Sequence, residues 1–217
     1  MEPEDSTFPD PSYEERCRLS PELERLRASL QPLPILHRIA FALCCAERLY
    51  PAYRGVTCDG GSRDAVRSVL DRLWSHVCGT KTTSSEVHQA LIICRAIHLD
   101  DSGGGALVRD AADAVDATIC ILQACDGHSL DRAVSVAQIL RNKIDRPLWR
   151  EMSNDLFYGT DPHGDSEIEA RISSHPLMVA ERNREAAELR HLYECDVLTS
   201  QNVNTLRMLG RSVHGSE

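Results

Sequence analysis

The apolar run between Pro34 and Pro51 constrains the fold of this chain more than any other feature. Ionisable side chains occur only near its ends, and apolar side chains cover nearly the whole circumference of the helix that it would form. A helix that is apolar all round is normally buried at the centre of a protein. We therefore expect a central, buried helix over residues 34–50, stopped by Pro51. Its apolar residues are Leu36, Ile39, Ala40, Phe41, Ala42, Leu43, Cys44, Cys45, Ala46 and Leu49.

Capping signals and helical periodicity place three further helices in the first half of the chain. Ser20 has the character of a helix N-cap, and the helix that it opens reaches about Leu30. A third helix is predicted to begin at Ser62. The spacing of Thr83 and Glu86 is that of a capping box, which predicts the start of a fourth helix.

The second half of the chain has the same helical character. Pro147 is expected to end or kink a sixth helix, and residues 153–165 are the longest internal loop candidate. A short helix is expected near residues 166–173, and a last one over residues 203–209. Between them Ser174 is predicted to cap a long helix. The apolar stripe assigned to that long helix is Val179, Ala186, Leu189, Tyr193 and Val197.

Composition agrees with an all-α fold. Aromatic residues make up only 5% of the chain, and no segment alternates with period two for long enough to predict a strand. We expect a single compact domain of about eight helices around the central one. The predicted boundaries are an acidic, disordered N-terminal arm over residues 1–18, a helical domain over residues 19–209, and a frayed tail over residues 210–217.

Charge and cysteine content restrict the class of protein. The formal net charge is −9, which disfavours binding to nucleic acid and makes a basic protein partner plausible. The nine cysteines are scattered through apolar helical runs, as expected for free thiols in a reducing compartment. Neither a signal peptide nor a membrane-spanning segment is evident. The expectation is a bacterial-type cytoplasmic protein.

Familiar catalytic and cofactor motifs are missing from the sequence. The glycines at 103–105 lack the Lys-Ser/Thr of a phosphate-binding loop, and neither Cys-x-x-Cys nor His-x-x-x-His occurs. No nucleophile elbow or catalytic-cysteine signature is present. We therefore expect no metal, no cofactor and no catalytic residue, and favour a protein that is not an enzyme.

Two acidic rows are candidates for contact with a protein partner. Asp110, Asp113 and Asp116 fall on the helix face opposite the apolar stripe. Such a row is most often a solvated face, but it could also bind a basic partner. Three glutamates of the long helix could extend the same acidic surface; they are Glu181, Glu185 and Glu188.

Glu47 and Arg48 form a charged pair at the end of the apolar run. Charges that emerge from a buried helix must be paired or solvated. The pair is either a structural salt bridge, with Arg48 also favoured by the helix C-terminus, or part of a polar crevice between helices. In the second case His88 and Gln89 are the candidates to line the crevice with it.

The run from Leu36 to Tyr53 resembles a signature of the YjaG-like bacterial family, the domain of unknown function numbered four hundred and sixteen. Members have a Phe-Ala-rich helix, then Cys-Glu-Arg-Leu, then a proline. Here Ala46 separates Cys45 from Glu47. Two other stretches are compatible, one beginning at Glu86 and one at His175. The resemblance implies a compact all-helical domain and no particular activity, so it assigns no catalytic residue.

Two functional hypotheses follow. The first is a non-enzymatic module that binds a protein, in its most specific form an immunity protein that neutralises a basic bacterial toxin. Small size, acidity and the lack of a catalytic motif favour it. The second is an enzyme or small-ligand binder with a polar site between helices near Glu47 and His88.

Overall fold

The structure is a computed structural model in which residues 20–56, 64–99, 105–125, 127, 129–156 and 164–211 are described, except for the side chains of 153–156 and 164–166. These residues form nine helices and no strand, which confirms the all-α prediction. None of these helices, within the described ranges, combines the length and apolar character that crossing a membrane requires. The helices are α1 (Pro21–Leu30), α2 (Ile35–Arg54), α3 (Ala65–Val77), α4 (Ser84–Arg95), α5 (Gly105–Ala124), α6 (Ser129–Leu156), α7 (Gly164–Ser174), α8 (Pro176–Tyr193) and α9 (Ser200–Arg211).

Helix α2 lies at the centre of the molecule, as its apolar circumference predicts. The helices α3, α5, α6, α8 and α9 all pack against it, and every residue from Ile39 to Leu49 is buried. The helices α5 and α6 also pack against each other, while α3 and α4 cover α5. An all-round apolar helix needs neighbours on every side to remove its surface from water, and this arrangement supplies them.

Pro51 does not stop α2, which continues to Arg54. Proline has no backbone N–H, so the last turn lacks one hydrogen bond of the helix ladder. The turn is kept because Tyr53 is fully buried, with its ring centroid 6.3 Å from that of Tyr50. Burial of a large aromatic side chain offsets the lost bond. The prediction that the helix ends at Pro51 is therefore wrong.

Pro147 likewise lies inside α6, which runs on to Leu156. The predicted loop over 153–165 is correspondingly shorter: α6 includes 153–156, α7 begins at Gly164, and 157–163 lie outside the described residues. The second half of α6 is held by a small apolar cluster shared with α7 and α8. Its buried members are Leu148, Met152, Ile168, Ile172 and Met178.

Two predicted caps are confirmed. The Ser20 hydroxyl accepts a hydrogen bond from the backbone N–H of Leu23 at 3.3 Å. Thr83 and Glu86 form the reciprocal capping box at the start of α4, with the Glu86 carboxylate accepting from the Thr83 N–H at 2.7 Å. Side chains of this kind satisfy N–H groups that have no partner inside the helix.

Two other helix starts differ from the prediction or lie outside the described residues. Ser174 ends α7, and the N-cap of α8 is His175, whose ring Nδ1 accepts from the N–H of Leu177 at 3.3 Å. The prediction of Ser174 as the cap is wrong because an imidazole nitrogen performs the task one residue later. Ser62 lies outside the described residues, and the described part of α3 begins at Ala65.

Helix α9 packs on α2 through a glycine. Gly210 is buried, so the predicted frayed tail does not begin there; residues 1–19 and 212–217 lie outside the described residues. A Cβ atom at Gly210 would lie 3.1 Å from the carbonyl oxygen of Cys44 and 3.3 Å from the Cβ of Glu47. The absence of a side chain at Gly210 therefore lets the two helix backbones approach closely.

Replacing Gly210 with alanine is expected to destabilise the protein by about 1–3 kcal/mol, because the new methyl group meets backbone atoms of α2 that cannot easily move. The matched control is Gly105→Ala in α5, where nothing lies within 4 Å of the added Cβ. That control should be neutral or slightly stabilising, since alanine is the better helix former. Urea unfolding of both variants measures the difference. Equal stabilisation by both substitutions would contradict the close approach.

Candidate functional site

Glu47 projects from one side of α2 into a group of cations. Its carboxylate accepts two hydrogen bonds from Arg67 of α3, both at 2.8 Å, and a third from Trp74 Nε1 at 2.9 Å. Arg211 of α9 donates a further bond through Nε at 3.1 Å. A bidentate guanidinium pair is among the strongest hydrogen-bonded contacts that a carboxylate can form. Glu47 therefore joins α3 and α9 to the central helix.

Asp71 and Arg207 complete this group, which we call the arginine cluster: Glu47, Arg67, Asp71, Arg207 and Arg211. Asp71 pairs with Arg67 at 2.9 Å and also with Arg207. The guanidinium carbon of Arg207 also lies 5.9 Å from the centroid of the Trp74 ring, within the range of a cation–π contact. Burial alone would raise the pKa of Glu47, but the hydrogen bonds and charges of Arg67 and Arg211 outweigh it and lower that pKa.

Arg48, the next residue of α2, faces α8 instead. Both of its terminal nitrogens donate to the Glu188 carboxylate, one of them at 3.2 Å. The Glu181 carboxylate lies 2.9 Å from the same guanidinium. On α6, Arg141 donates two hydrogen bonds to Glu185, through Nε at 3.1 Å and through a terminal nitrogen. These buried pairs hold α8 against α2 and α6.

The three glutamates of α8 therefore point inward. Glu181, Glu185 and Glu188 are 1%, 3% and 0% exposed, so the prediction of an exposed acidic surface is wrong for them. A carboxylate can be buried when a guanidinium neutralises it, which Arg48 and Arg141 do here. The apolar stripe predicted for this helix is also wrong, because four of its five members are exposed: Val179, Ala186, Tyr193 and Val197.

The aspartate row of α5 is only partly available to a partner. Arg146 of α6 donates to Asp110 at 2.9 Å and also to Asp113, and both carboxylates are half-buried. Asp116 is exposed, as predicted for the whole row. Loss of some hydration beside the helix surface and the neighbouring Asp113 charge raise the pKa of Asp116. The row thus serves first as a link between α5 and α6.

The alternative polar site is not assembled in the described residues. Glu47 and Arg48 are buried and enclosed by the ion pairs above, whereas His88 and Gln89 lie on the exposed side of α4. That helix packs on α3 and α5. Glu47 and Arg48 fit the structural-salt-bridge interpretation of the sequence. Within the described ranges, no three His, Cys, Asp or Glu side chains are grouped to hold a metal ion.

An apolar groove lies where the start of α2 meets the end of α3 and the segment after α8. Its volume is about 390 Å³, and two of its apolar side chains are strongly exposed, Ile35 at 52% and Val197 at 73%. The buried His37 donates a hydrogen bond from Nε2 to the carbonyl oxygen of Cys195 at 2.8 Å, which fixes the segment that forms one wall. The groove is lined by Pro34, Ile35, Leu36, His37, Val77, Cys78, Gly79, Asp196, Val197 and Leu198.

The sequence gives no sign of the apolar groove. Leu36 belongs to the predicted apolar run, and Val197 belongs to the apolar stripe predicted for the long helix. Both side chains resemble core residues in the sequence, and they differ from core residues only in lacking a covering helix in the described structure. Their exposure depends on where α8 ends and the chain turns, which periodicity does not specify.

Replacing Glu47 with glutamine is expected to destabilise the protein by about 3 kcal/mol at neutral pH, because three arginines then share one carboxylate. The pKa of Glu47 is lowered in the folded state, so its contribution is present above the ordinary glutamate value and is lost as pH falls through the lowered pKa. The difference between wild type and variant should therefore shrink in acid.

Urea unfolding from about pH 7 to about pH 3 measures this effect. The matched control is Glu151→Gln on the exposed side of α6, which should change stability by less than about 0.5 kcal/mol. A Glu47 variant as stable as this control at neutral pH would show that the arginine cluster contributes nothing to the fold.

Comparison with known proteins agrees with this fold. The family model described as "Protein of unknown function (DUF416)" matches residues 25–216. The chain is also similar to the crystal structure of a DUF416 family protein from Shewanella baltica OS155, with a TM-score of 0.64 and 18% sequence identity over 88% of this chain and 93% of that one. No curated protein matches. Since the family model covers nearly all of the helical domain, the chain belongs to the DUF416 family, whose function is unknown.

Proposed function

We propose that this chain is a non-enzymatic protein-binding module and that the apolar groove is its contact surface. The observation that carries the proposal is the exposure of Ile35, Leu36 and Val197 around one concavity. Apolar side chains grouped at a concave surface gain free energy when a partner covers them. Most of the charged side chains discussed above are already engaged with one another, whereas the apolar side chains of the groove are exposed.

The charge near the groove indicates the chemistry of the partner. Asp196 lines the groove, Glu194 precedes it on the exposed surface, and the chain as a whole carries a net charge of −9. The end of α3 also presents its C-terminal carbonyl groups at Val77 and Cys78, the negative end of the helix dipole. The fitting occupant is an amphipathic segment of a protein with an apolar face and a basic residue opposite Asp196.

An immunity protein that neutralises a basic bacterial toxin in the cytoplasm is the specific form of this proposal. Acidity and a helical domain without a recognised catalytic motif support it. The exposed Asp116 could provide a second contact for a basic partner. A toxin-like reading frame beside the gene would favour this form, and protection of cells that express that toxin would test it.

The proposal predicts that Val197→Asp weakens capture of the partner by at least about tenfold, because a carboxylate replaces an apolar contact beside Asp196. Val197 is 73% exposed, so the substitution should leave the fold intact. The matched control is Leu107→Asp on α5, also strongly exposed at 65% but not part of the groove. Affinity purification from the native cell identifies the partner, and titration of the purified pair gives the affinity.

Two further variants separate the possible surfaces. Asp196→Lys should weaken binding of a basic partner, whereas Asp116→Lys tests the exposed end of the aspartate row. A partner that binds the Val197 variant and the Leu107 control equally would rule out the groove. If binding is instead lost with Asp116→Lys alone, the acidic row of α5 is the contact surface and the proposed site is wrong.

A further inference from the structure

The buried side of α8 carries more negative charge than its buried partners neutralise. We call Glu181, Glu185 and Glu188 the glutamate stack; all three are almost fully buried. Two guanidiniums with little exposure face it, those of Arg48 and Arg141. Arg184 also pairs with Glu181, at 3.4 Å, but one third of its side chain is exposed to water, which weakens the pair. Three carboxylates thus share two buried cations.

The hydrogen bonds of the glutamate stack are also incomplete. Glu188 receives both terminal nitrogens of Arg48, and Glu185 receives two nitrogens of Arg141. Glu181 Oε1 lies 2.9 Å from the Arg48 guanidinium, yet this buried oxygen accepts no hydrogen bond in the described structure. A buried acceptor without a donor costs free energy. An additional proton on the stack would remove one negative charge and add one O–H donor among the carboxylate acceptors.

Titratable groups around the glutamate stack favour uptake of a proton by the stack itself. Burial raises the pKa of Glu188 to about 7, against the opposing charge and hydrogen bonds of Arg48, and burial also raises the pKa of Glu185. Cys44 and Cys45 of α2 are the nearest thiols, and burial raises their pKa well above the usual value, so both remain neutral.

A polar groove between α1, α6 and α8 connects the glutamate stack with solvent. Its volume is about 390 Å³, and both Arg141 and Glu185 contribute to its lining. From α1 it contains Glu22, which pairs with Arg182 of α8 at 2.7 Å, and Arg25. The groove lets a proton reach Glu185, and Coulombic interactions with Glu181 and Arg48 couple Glu185 to the rest of the stack.

We propose that the glutamate stack binds one proton in the folded protein near neutral pH and that this proton sets how tightly α8 packs on α2. When the proton is present, three carboxyl groups carry two negative charges that Arg48 and Arg141 neutralise. When it leaves, the extra buried charge repels its neighbours and favours separation of α8 from the core. The inference goes beyond the proposed function, because it concerns the chain by itself.

The sign of the pH effect follows from linkage. Consider a carboxyl group whose pKa is raised in the folded state. At a pH between the ordinary glutamate pKa and this raised pKa, it binds more protons in the folded state than in the unfolded state. Stability therefore falls as pH rises across this interval, by up to about tenfold in the unfolding equilibrium constant for each pH unit. Other titratable groups also contribute to the pH dependence of stability, so only a variant comparison isolates the stack.

The test compares wild type with Glu188→Gln, a neutral isostere of the protonated side chain. We expect wild type to lose stability between about pH 5 and about pH 7. For the variant, the change in the unfolding equilibrium constant should be smaller by up to about tenfold per pH unit. In wild type, amide hydrogen exchange in α8 should accelerate with pH more steeply than the intrinsic chemical exchange rate does. In the variant, exchange in α8 should follow the intrinsic rate. The matched control is Glu167→Gln on the exposed side of α7, which should follow wild type.

Carbon-13 NMR of the glutamate carboxyl groups tests the same proposal in unmodified protein, in case Glu188→Gln does not fold. One buried carboxyl resonance that titrates within about one unit of pH 7 supports the proposal. If every glutamate carboxyl is fully ionised by about pH 5.5, the proposal is overturned. It is also overturned if wild type and the Glu188 variant share the same pH dependence of stability. Neither result depends on whether a partner binds the apolar groove.

Discussion

Two adjacent residues of opposite charge in a buried helix determine how the surrounding helices pack. Glu47 and Arg48 differ by about 100° in direction around α2, so they face different neighbours. Neither could remain charged in the core without compensation. Glu47 receives arginines from α3 and α9, and Arg48 receives glutamates from α8. Each of those three helices is thus held by apolar packing and by charge neutralisation together.

The sequence predicts the positions of the helices better than it predicts which face of each helix is buried. The apolar circumference of α2 and the Thr83 capping box are local signals, so both could be recognised without tertiary information. The inward face of α8 could not be recognised, because a row of glutamates looks the same whether water or arginine surrounds it. The partner that decides the matter, Arg48, lies 140 residues before Glu188 in the chain.

The continuation of α2 past Pro51 and of α6 past Pro147 has a related cause. A proline inside a helix has a local cost that the sequence makes plain, whereas the compensation is tertiary. Tyr53 retains the last turn of α2 by its burial, and Leu148 and Met152 do the same for the second half of α6. The apolar groove escaped notice for the opposite reason, since Val197 has the character of a core residue but no covering helix among the described residues.

The two charge clusters also differ in how burial and charge balance. In the arginine cluster three cations face two carboxylates, so the positive excess outweighs burial and keeps Glu47 ionised. In the glutamate stack three carboxylates face two buried cations, so burial prevails and raises the pKa of Glu188 to about 7. Helix α2 therefore contributes Glu47 to a charge cluster that loses strength in acid, and Arg48 to a second cluster that loses strength in base. The proposed proton would therefore act on α8, which also leads into one wall of the apolar groove.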